Sequence, residues 1–445
     1  MRRLQASYRA IPAGSAVRLA KSTSNLFRSR VAAGSGLDVS GLTKVLQVDP
    51  VSRTADVAGM CTYENLLTAT LPHGLTPLVV PQLKTITLGG AVSGLGIEAA
   101  SFRNGLPHES VLELDVLTGA GELVTATQGD ELFAGFPNSY GTLGYATRLR
   151  IELEPVRSHV ALRHVRFTNL DELCAAVAQI MATRTWNGEN SENVDYLDGV
   201  MFSATESYLT LGRSTEHDGP ASDYTGMQIY YRSIQQRHRD VLRIHDYLWR
   251  WDTDWFWCSE AFGVQHPVIR RLWPARLRRS DVYWKIVALA NRFDGENRWE
   301  VLRGRPHRER VIQDVEIPLE RTAEFLRWFV THVGIEPVWL CPLRLRGERD
   351  WPLYPLEPGR DYVNVGFWSS VPIAPGSGSN DGAINRAIEH QVDAVGGHKS
   401  LYSDSFYSRE EFDARYGGER YAALKQRYDP DQRLADLYAK AVRHR

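Results

Sequence analysis

Residues 85–105, TITLGGAVSGLGIEAASFRNG, set five glycines among 21 residues beside a single acid, Glu98. Backbone this bare has little conformational preference of its own and must be held by what surrounds it. Ile86, Leu88, Val92, Leu95 and Ile97 interleave with the glycines, whereas a flexible linker would be polar. Gly94-Leu-Gly96-Ile-Glu-Ala99 fits a GxGxxA dinucleotide fingerprint. That pattern should follow a strand and open a helix, and here Gly105 and Pro107 interrupt any helix. The reading that accounts for all the glycines is a set of turns that let main chain approach a large flat ligand, with N–H groups left free to donate. A second cluster, NSYGTLGYATRL, places Gly141 and Gly144 just before a strand and would hold the other side of the same ligand.

Around these turns the first third alternates α and β. KVLQVD and TADVAG read as a strand pair, and TYENLLTATLPHG as a helix from an N-cap at Thr62 to a C-cap at Gly74. VLELDVLTGAGELVTA reads as two strands around a GAG turn, and GYATRLRIELEP as an alternating strand. From about residue 158 to 395, strand-like SHVALRHVRF, LDGVMFS and YVNVGFW mix with helical NLDELCAAVAQIMATR and PLERTAEFLRWFVTHV, which predicts an α+β unit with helices on one side of its sheet. The tail is helical and polar, with a capping box from Ser408 to Glu411. The expected division is 1–157, 158–395 and 396–445, with the last segment returning to the ligand site.

A net charge of -1 argues against a nucleic-acid partner held by global electrostatics. Cys61, Cys174, Cys258 and Cys341 lie far apart, which suits reduced core thiols in a cytoplasmic protein and no metal site. No apolar run is long enough to span a bilayer.

VPQLKTITLGGAVSGLGIEAASFRNGLPHE followed by GTLGYATRLRIEL resembles the FAD-binding (PCMH-type) domain of the vanillyl-alcohol oxidase and p-cresol methylhydroxylase flavoproteins. LDGVMFSATESYLTLG, WFWCSEAFGVQHPVIRRLW, VIQDVEIPLE, EPVWLCPL and LYSDSFYSREEF narrow the resemblance to the sterol side-chain (delta-24) reductases, in the same order. The fold class so implied is α+β, a two-part FAD-binding domain plus a substrate (cap) domain with an antiparallel sheet. By resemblance, Lys21, Ser22, Thr23, Ser24 and Asn25 would cradle the FAD pyrophosphate. Thr87, Leu88, Gly89, Gly90, Ser93, Gly94, Gly96, Ile97 and Ser101 would run along the flavin and ribityl chain. Gly141, Thr142, Gly144 and Tyr145 would contact its far side. Only about 16 residues precede the cradle, so the first β-α unit of the family is expected to be truncated. Residues 21–28 hold no His and 85–105 no Cys, so the FAD is expected to be non-covalent.

The resemblance implies hydride transfer from NADPH through FAD to an isolated C=C. Such a bond lacks a carbonyl to absorb charge, so protonation to a tertiary cation with hydride capture is the reasonable route, and it needs an acid in a dry pocket. Glu98 is one candidate, against a structural carboxylate in the glycine turn. Tyr402 and Asp404, in LYSDSF, match a tail segment of the reductases and form a candidate relay. Asp314 reads as an ordinary strand residue, and His307 and His398 as surface histidines. Arginine-rich composition suggests a bacterial chain. There a 10-methylene fatty acyl phospholipid poses the same chemical problem as a sterol side chain, and the bacterial methylene-fatty-acyl reductases share the reaction logic. An alcohol or hydroxy-acid oxidase is the alternative on the same fold. Finally, YLWRWDTDWFWCSEAFG and RRLWPARLRR, within 247–279, suit a peripheral contact at the inner face of the cell membrane, a hydrophobic tunnel, or plain aromatic packing.

Overall fold

The computed structural model describes residues 2–21, 27–28, 35–186, 192–292, 308–373 and 382–442. Ser22, Thr23, Ser24 and Asn25 of the expected cradle, and His307, lie outside them.

Two sheets organise the chain. The first has strands in the order 45–49, 54–58, 144–155, 111–118 and 123–127, with 75–77 added on the long 144–155 strand. Alternation along that strand buries Leu149, Ile151 and Leu153, while Arg148 on the other face gathers Asp56, Glu113 and Asp115 from its neighbours. Thr62 caps its helix through the Asn65 N–H, as the sequence predicts; the helix ends at Thr70, and Gly74, in the left-handed region at φ 67°, closes the 3-10 turn Leu71–His73 that follows. The N-terminal residues close a small core of their own. Leu4, Ile11, Val17 and Leu37 pack with Leu434 of the tail, and the Val17 N–H donates to the Arg433 carbonyl.

The second sheet is antiparallel throughout, with eight strands in the order 239–243, 159–167, 206–215, 196–203, 338–343, 362–372, 308–318 and 398–399. Its period of two sorts the sequence VIQDVEI. Val311, Val315 and Ile317 enter a core with Phe325, Leu326 and Phe329 of the 319–332 helix. Each such burial contributes about 1.5–3 kcal/mol. Asp314 and Glu316 face the other way, opposite Gly366 and Asn364 on the next strand. That other face, with Trp339, Cys341 and Asp198, turns toward the first sheet. The helices 170–183, 319–332 and 383–394 cover the far face, so the α+β expectation of helices on one side holds.

Three sequence readings change. The glycine stretch is not a turn: Leu88–Gly94 is a helix, N-capped by the Thr87 hydroxyl on the Gly90 N–H. Its first N–H groups are already committed, Leu88 to the Cys61 carbonyl and Gly89 to the Gly59 carbonyl, both at 2.9 Å. A Cβ on Gly89 would come within 2.6 Å of that Gly59 oxygen, so Gly89 serves close backbone packing rather than ligand contact. His398 is buried between Tyr354 and Tyr416, ring centroids 4.7 and 4.8 Å away, and burial holds its imidazole neutral, at about 3. Trp249, Trp251, Trp255 and Trp257 are all interior, so these four rings pack inside the fold, while Trp273 keeps part of its surface open.

Candidate active site

The Leu88–Gly94 helix buries Leu88, Gly89, Ala91, Val92 and Gly94 and leaves Thr87, Gly90 and Ser93 on one open side. Lys21 joins that side, with its Nζ 3.4 Å from the Thr87 hydroxyl. At Gly90 an added Cβ would meet only Thr87, so the strip between ammonium and hydroxyls is bare backbone. An ammonium, two hydroxyls and a stretch without side chains fit a phosphate-bearing, flat-ringed cofactor. The other expected contacts divide differently. Ile97 and Ser101 are buried, and the Ser101 hydroxyl accepts from the Glu98 N–H at 3.1 Å. Gly96 packs against Pro81 and Pro107. Gly141, at φ 75°, is buried with Thr142 and Gly144; the Thr142 carbonyl takes the Lys425 ammonium at 2.9 Å, and Tyr145 packs on the N-terminal core.

The strip ends at Tyr140. Its hydroxyl donates to the Gly94 carbonyl at 2.6 Å, and the Arg28 guanidinium sits 4.2 Å above its ring. Arg28 in turn donates to the Leu401 carbonyl at 2.7 Å, and the Phe27 N–H to that of Tyr402 at 2.9 Å. The 401–403 segment is thereby laid along the end of the expected cradle, and the tail returns to the ligand side.

Tyr402 meets a carboxylate there, and it is Asp314 rather than Asp404. The Asn364 amide donates to the Asp314 carboxyl at 3.5 Å, and the Tyr402 phenol lies near enough to lower its pKa; both groups are neutral. Burial pushes Asp314 up to about 7 and Glu316, beside it on the same face, up to about 8. Tyr402 is raised well above an ordinary phenol, first by burial and then by the Asp314 charge. The Trp368 indole N–H donates to the Tyr402 oxygen at 2.8 Å, which fills one acceptor position and leaves the phenol proton for Asp314 or a ligand. A Cβ on Gly366 would lie 2.4 Å from the Asp314 carboxylate, so only glycine leaves room for it. Asp404 instead presents its carbonyl to the Lys399 ammonium at 2.8 Å. Phe27, Trp255, Trp284 and Trp368 wall the pair. Phe27 stacks on Trp255 at 5.7 Å and meets Trp284 and Tyr402 edge-on at 5.1 and 5.9 Å. Phe27, Trp284, Asp314, Trp368 and Tyr402 all keep part of their surface free, as groups that touch a ligand must.

Glu98 lies elsewhere. Its carboxylate pairs with Arg250 at 2.7 Å, and Arg250 reaches Asp198 at 2.8 Å, all three side chains within 4% of full burial. Trp251 and Trp339 indoles also donate to Asp198. Burial outweighs the pull of Arg250 and leaves Glu98 raised, to about 7; the guanidinium stays charged. Sequence reasoning set Asp314 aside as an ordinary strand residue and passed over Glu316 and Tyr140. Two acids spaced by one residue inside an apolar strand, as in IQDVEI, are the signal that could have found the first two.

Residues 4–127 match the family model described as an FAD binding domain. The chain is 24% identical over 425 residues to the Delta(24)-sterol reductase of Homo sapiens, covering 91% of this chain and 77% of that protein. It is 25% identical over 337 residues to that of Pisum sativum, covering 69% and 56%. It is also 26% identical over 405 residues to cytokinin dehydrogenase 5 of Oryza sativa subsp. japonica, covering 85% and 71%. With the bare strip along the Leu88–Gly94 helix, these likenesses identify residues 4–127 as a PCMH-type FAD-binding domain, in a chain similar over most of its length to proteins named as reductases and a dehydrogenase.

Proposed function

We propose that this flavoprotein reduces an unactivated lipid alkene with electrons from NADPH, and that a methylene-branched acyl chain of a phospholipid is favoured over a sterol side chain. The single observation that carries this reading is the Asp314–Tyr402 pair, a carboxyl at about 7 behind a phenol, walled by aromatic rings at the end of the flavin strip. The relatives named as sterol reductases support the direction of reaction.

Lys21, Thr87, Gly90 and Ser93 would hold FAD, which supplies hydride chemistry between NADPH and carbon when bound. Asp314 keeps its proton near neutral pH because the ionised form would be desolvated among neutral partners. The Tyr402 phenol passes a proton to the less substituted alkene carbon and is reprotonated by Asp314, which draws its proton from solvent. The tertiary carbon takes the hydride, so the alkene gains one proton and one hydride while NADPH is oxidised. Phe27, Trp255, Trp284 and Trp368 exclude water and lay π faces beside the carbon that becomes cationic.

A second reading, oxidation of an alcohol or hydroxy acid, draws on the relative named as a dehydrogenase. In that direction the carboxyl at about 7 would accept a proton. Anaerobic mixing separates the two. The reductase bleaches with NADPH alone and regains its colour when vesicles containing a methylene-branched phospholipid are added. Bleaching by an alcohol substrate without NADPH, or NADPH-reduced protein that no methylene lipid or sterol reoxidises, would remove the proposal.

A further inference from the structure

The membrane expectation rested on the Trp- and Arg-rich segment 247–279; four of its tryptophans are interior, yet the same segment exposes an apolar set. Val268, Ile269, Leu272 and Leu277 are 61%, 41%, 79% and 39% exposed, within and just after the Pro267–Leu272 helix. Met227, 51% exposed, borders them, because the buried Arg270 and Arg278 staple the 225–228 loop to this helix. Arg270 donates to the Gly226 and Gln228 carbonyls, and Arg278 to those of Thr225 and Gly226. Among the described residues only three other large hydrophobics are as open, Leu46 and Leu123 on strands of the first sheet and Val51 in the turn between 45–49 and 54–58.

We infer that this face docks on an anionic membrane surface. The charge around it selects that occupant. Between Glu260 and Asp281, residues 261–280, the chain carries five arginines and no carboxylate. Arg270 is held by Asp254, Arg278 by carbonyls and Arg279 by Glu64 and Asp281. Arg271 and Arg276 are exposed and form no ion pair among the described residues. Aliphatic tips with unpaired guanidinium groups at their rim insert into the acyl boundary while the cations meet lipid phosphates. A second copy suits the face poorly, since a symmetric contact would set Arg271 and Arg276 near their own equivalents. The face also adjoins the site. Trp273, which follows the helix, packs on Tyr283 at 6.3 Å, and the next residue, Trp284, is part of the aromatic wall on Phe27. The inference goes beyond the proposed reaction and stands whichever lipid reacts.

The flavin-loaded full chain is to be sedimented with vesicles of phosphatidylcholine alone or mixed with phosphatidylglycerol. Binding to the mixed vesicles only is expected. L272E should lower it about tenfold or more, and R271Q or R276Q about fivefold each. All three positions are exposed, and flavin content and thermal midpoint report that each variant folds. Absence of binding to either vesicle, equal binding to both, or unchanged binding of L272E would overturn the inference. So would a dimer that L272E abolishes while vesicles leave the protein in solution.

Discussion

Glu98 ends on Arg250, which carries on to Asp198; Asp314 ends on the neutral groups of Asn364 and Tyr402. Both acids lie between the two sheets, and Cys341 is near enough to feel both. The first is a sealed ion cluster with indole donors, in which each charge is answered by protein. Such a cluster specifies how the sheets meet and costs heavily when one member goes. Burial raises both acids to about 7, but the second has no answering cation and keeps part of its surface open, so a ligand can reach its proton. The comparison teaches that burial alone does not mark an acid as chemical: the partner decides, and a neutral partner leaves the proton to be used.

The strongest way to break this contrast is at Asp314. Asp314→Asn should lower kcat/KM about 10²–10⁴-fold with flavin content unchanged, measured by NADPH-dependent reoxidation kinetics, and the wild type should lose activity above about pH 7. Retained activity in the variant would place the acid elsewhere. Next in size, Arg250→Leu leaves two carboxylates buried without their cation and should cost about 3–5 kcal/mol in denaturant unfolding. Glu98→Gln should cost less and leave turnover per folded, flavin-loaded molecule as it was; a large fall in turnover would return Glu98 to the chemistry.

Smaller still is the pH dependence of stability. Asp314 and Glu316 titrate higher folded than unfolded, so the stability they contribute is complete below the ordinary carboxylate range. It is lost as pH rises toward about 7 for Asp314 and about 8 for Glu316. Asp314→Asn should remove about 1–2 kcal/mol of that fall, discounted because Asp314 is partly open, as read by denaturation at acid and neutral pH. The smallest test sits on the glycine helix. Gly90→Ala crowds only the Thr87 side chain, which must shift slightly, and should fold with a small loss of stability and weaken flavin retention a few-fold by ultrafiltration, whereas Gly89→Ala collides with the Gly59 main-chain carbonyl and should fail to accumulate as folded protein.

Much of the fold was legible from local pattern. Alternation marked the strands of both sheets, and Thr62, Gly74 and the Ser408–Glu411 box marked helix ends through short-range hydrogen bonds. The candidate site was legible only in part. Lys21, Thr87, Gly90 and Ser93 come together on one side, but the helix beneath them was hidden because its glycines disfavour helix locally. It forms because Thr87 caps it and the Gly59 and Cys61 carbonyls satisfy its first donors. Tyr402 was named and its partner was not. Asp404 is two residues away in sequence, while Asp314 reaches Tyr402 through the pairing of 308–318 with 362–372 and 398–399.

By itself, then, the sequence determined what depends on neighbours a few residues apart: element types, caps, and which residues of VIQDVEI share a face. Only the tertiary structure decided which acid meets an arginine and which meets a phenol. Those partners come from strands and segments far apart in the chain, and the field at a carboxyl is set by what lies within a few ångströms in space.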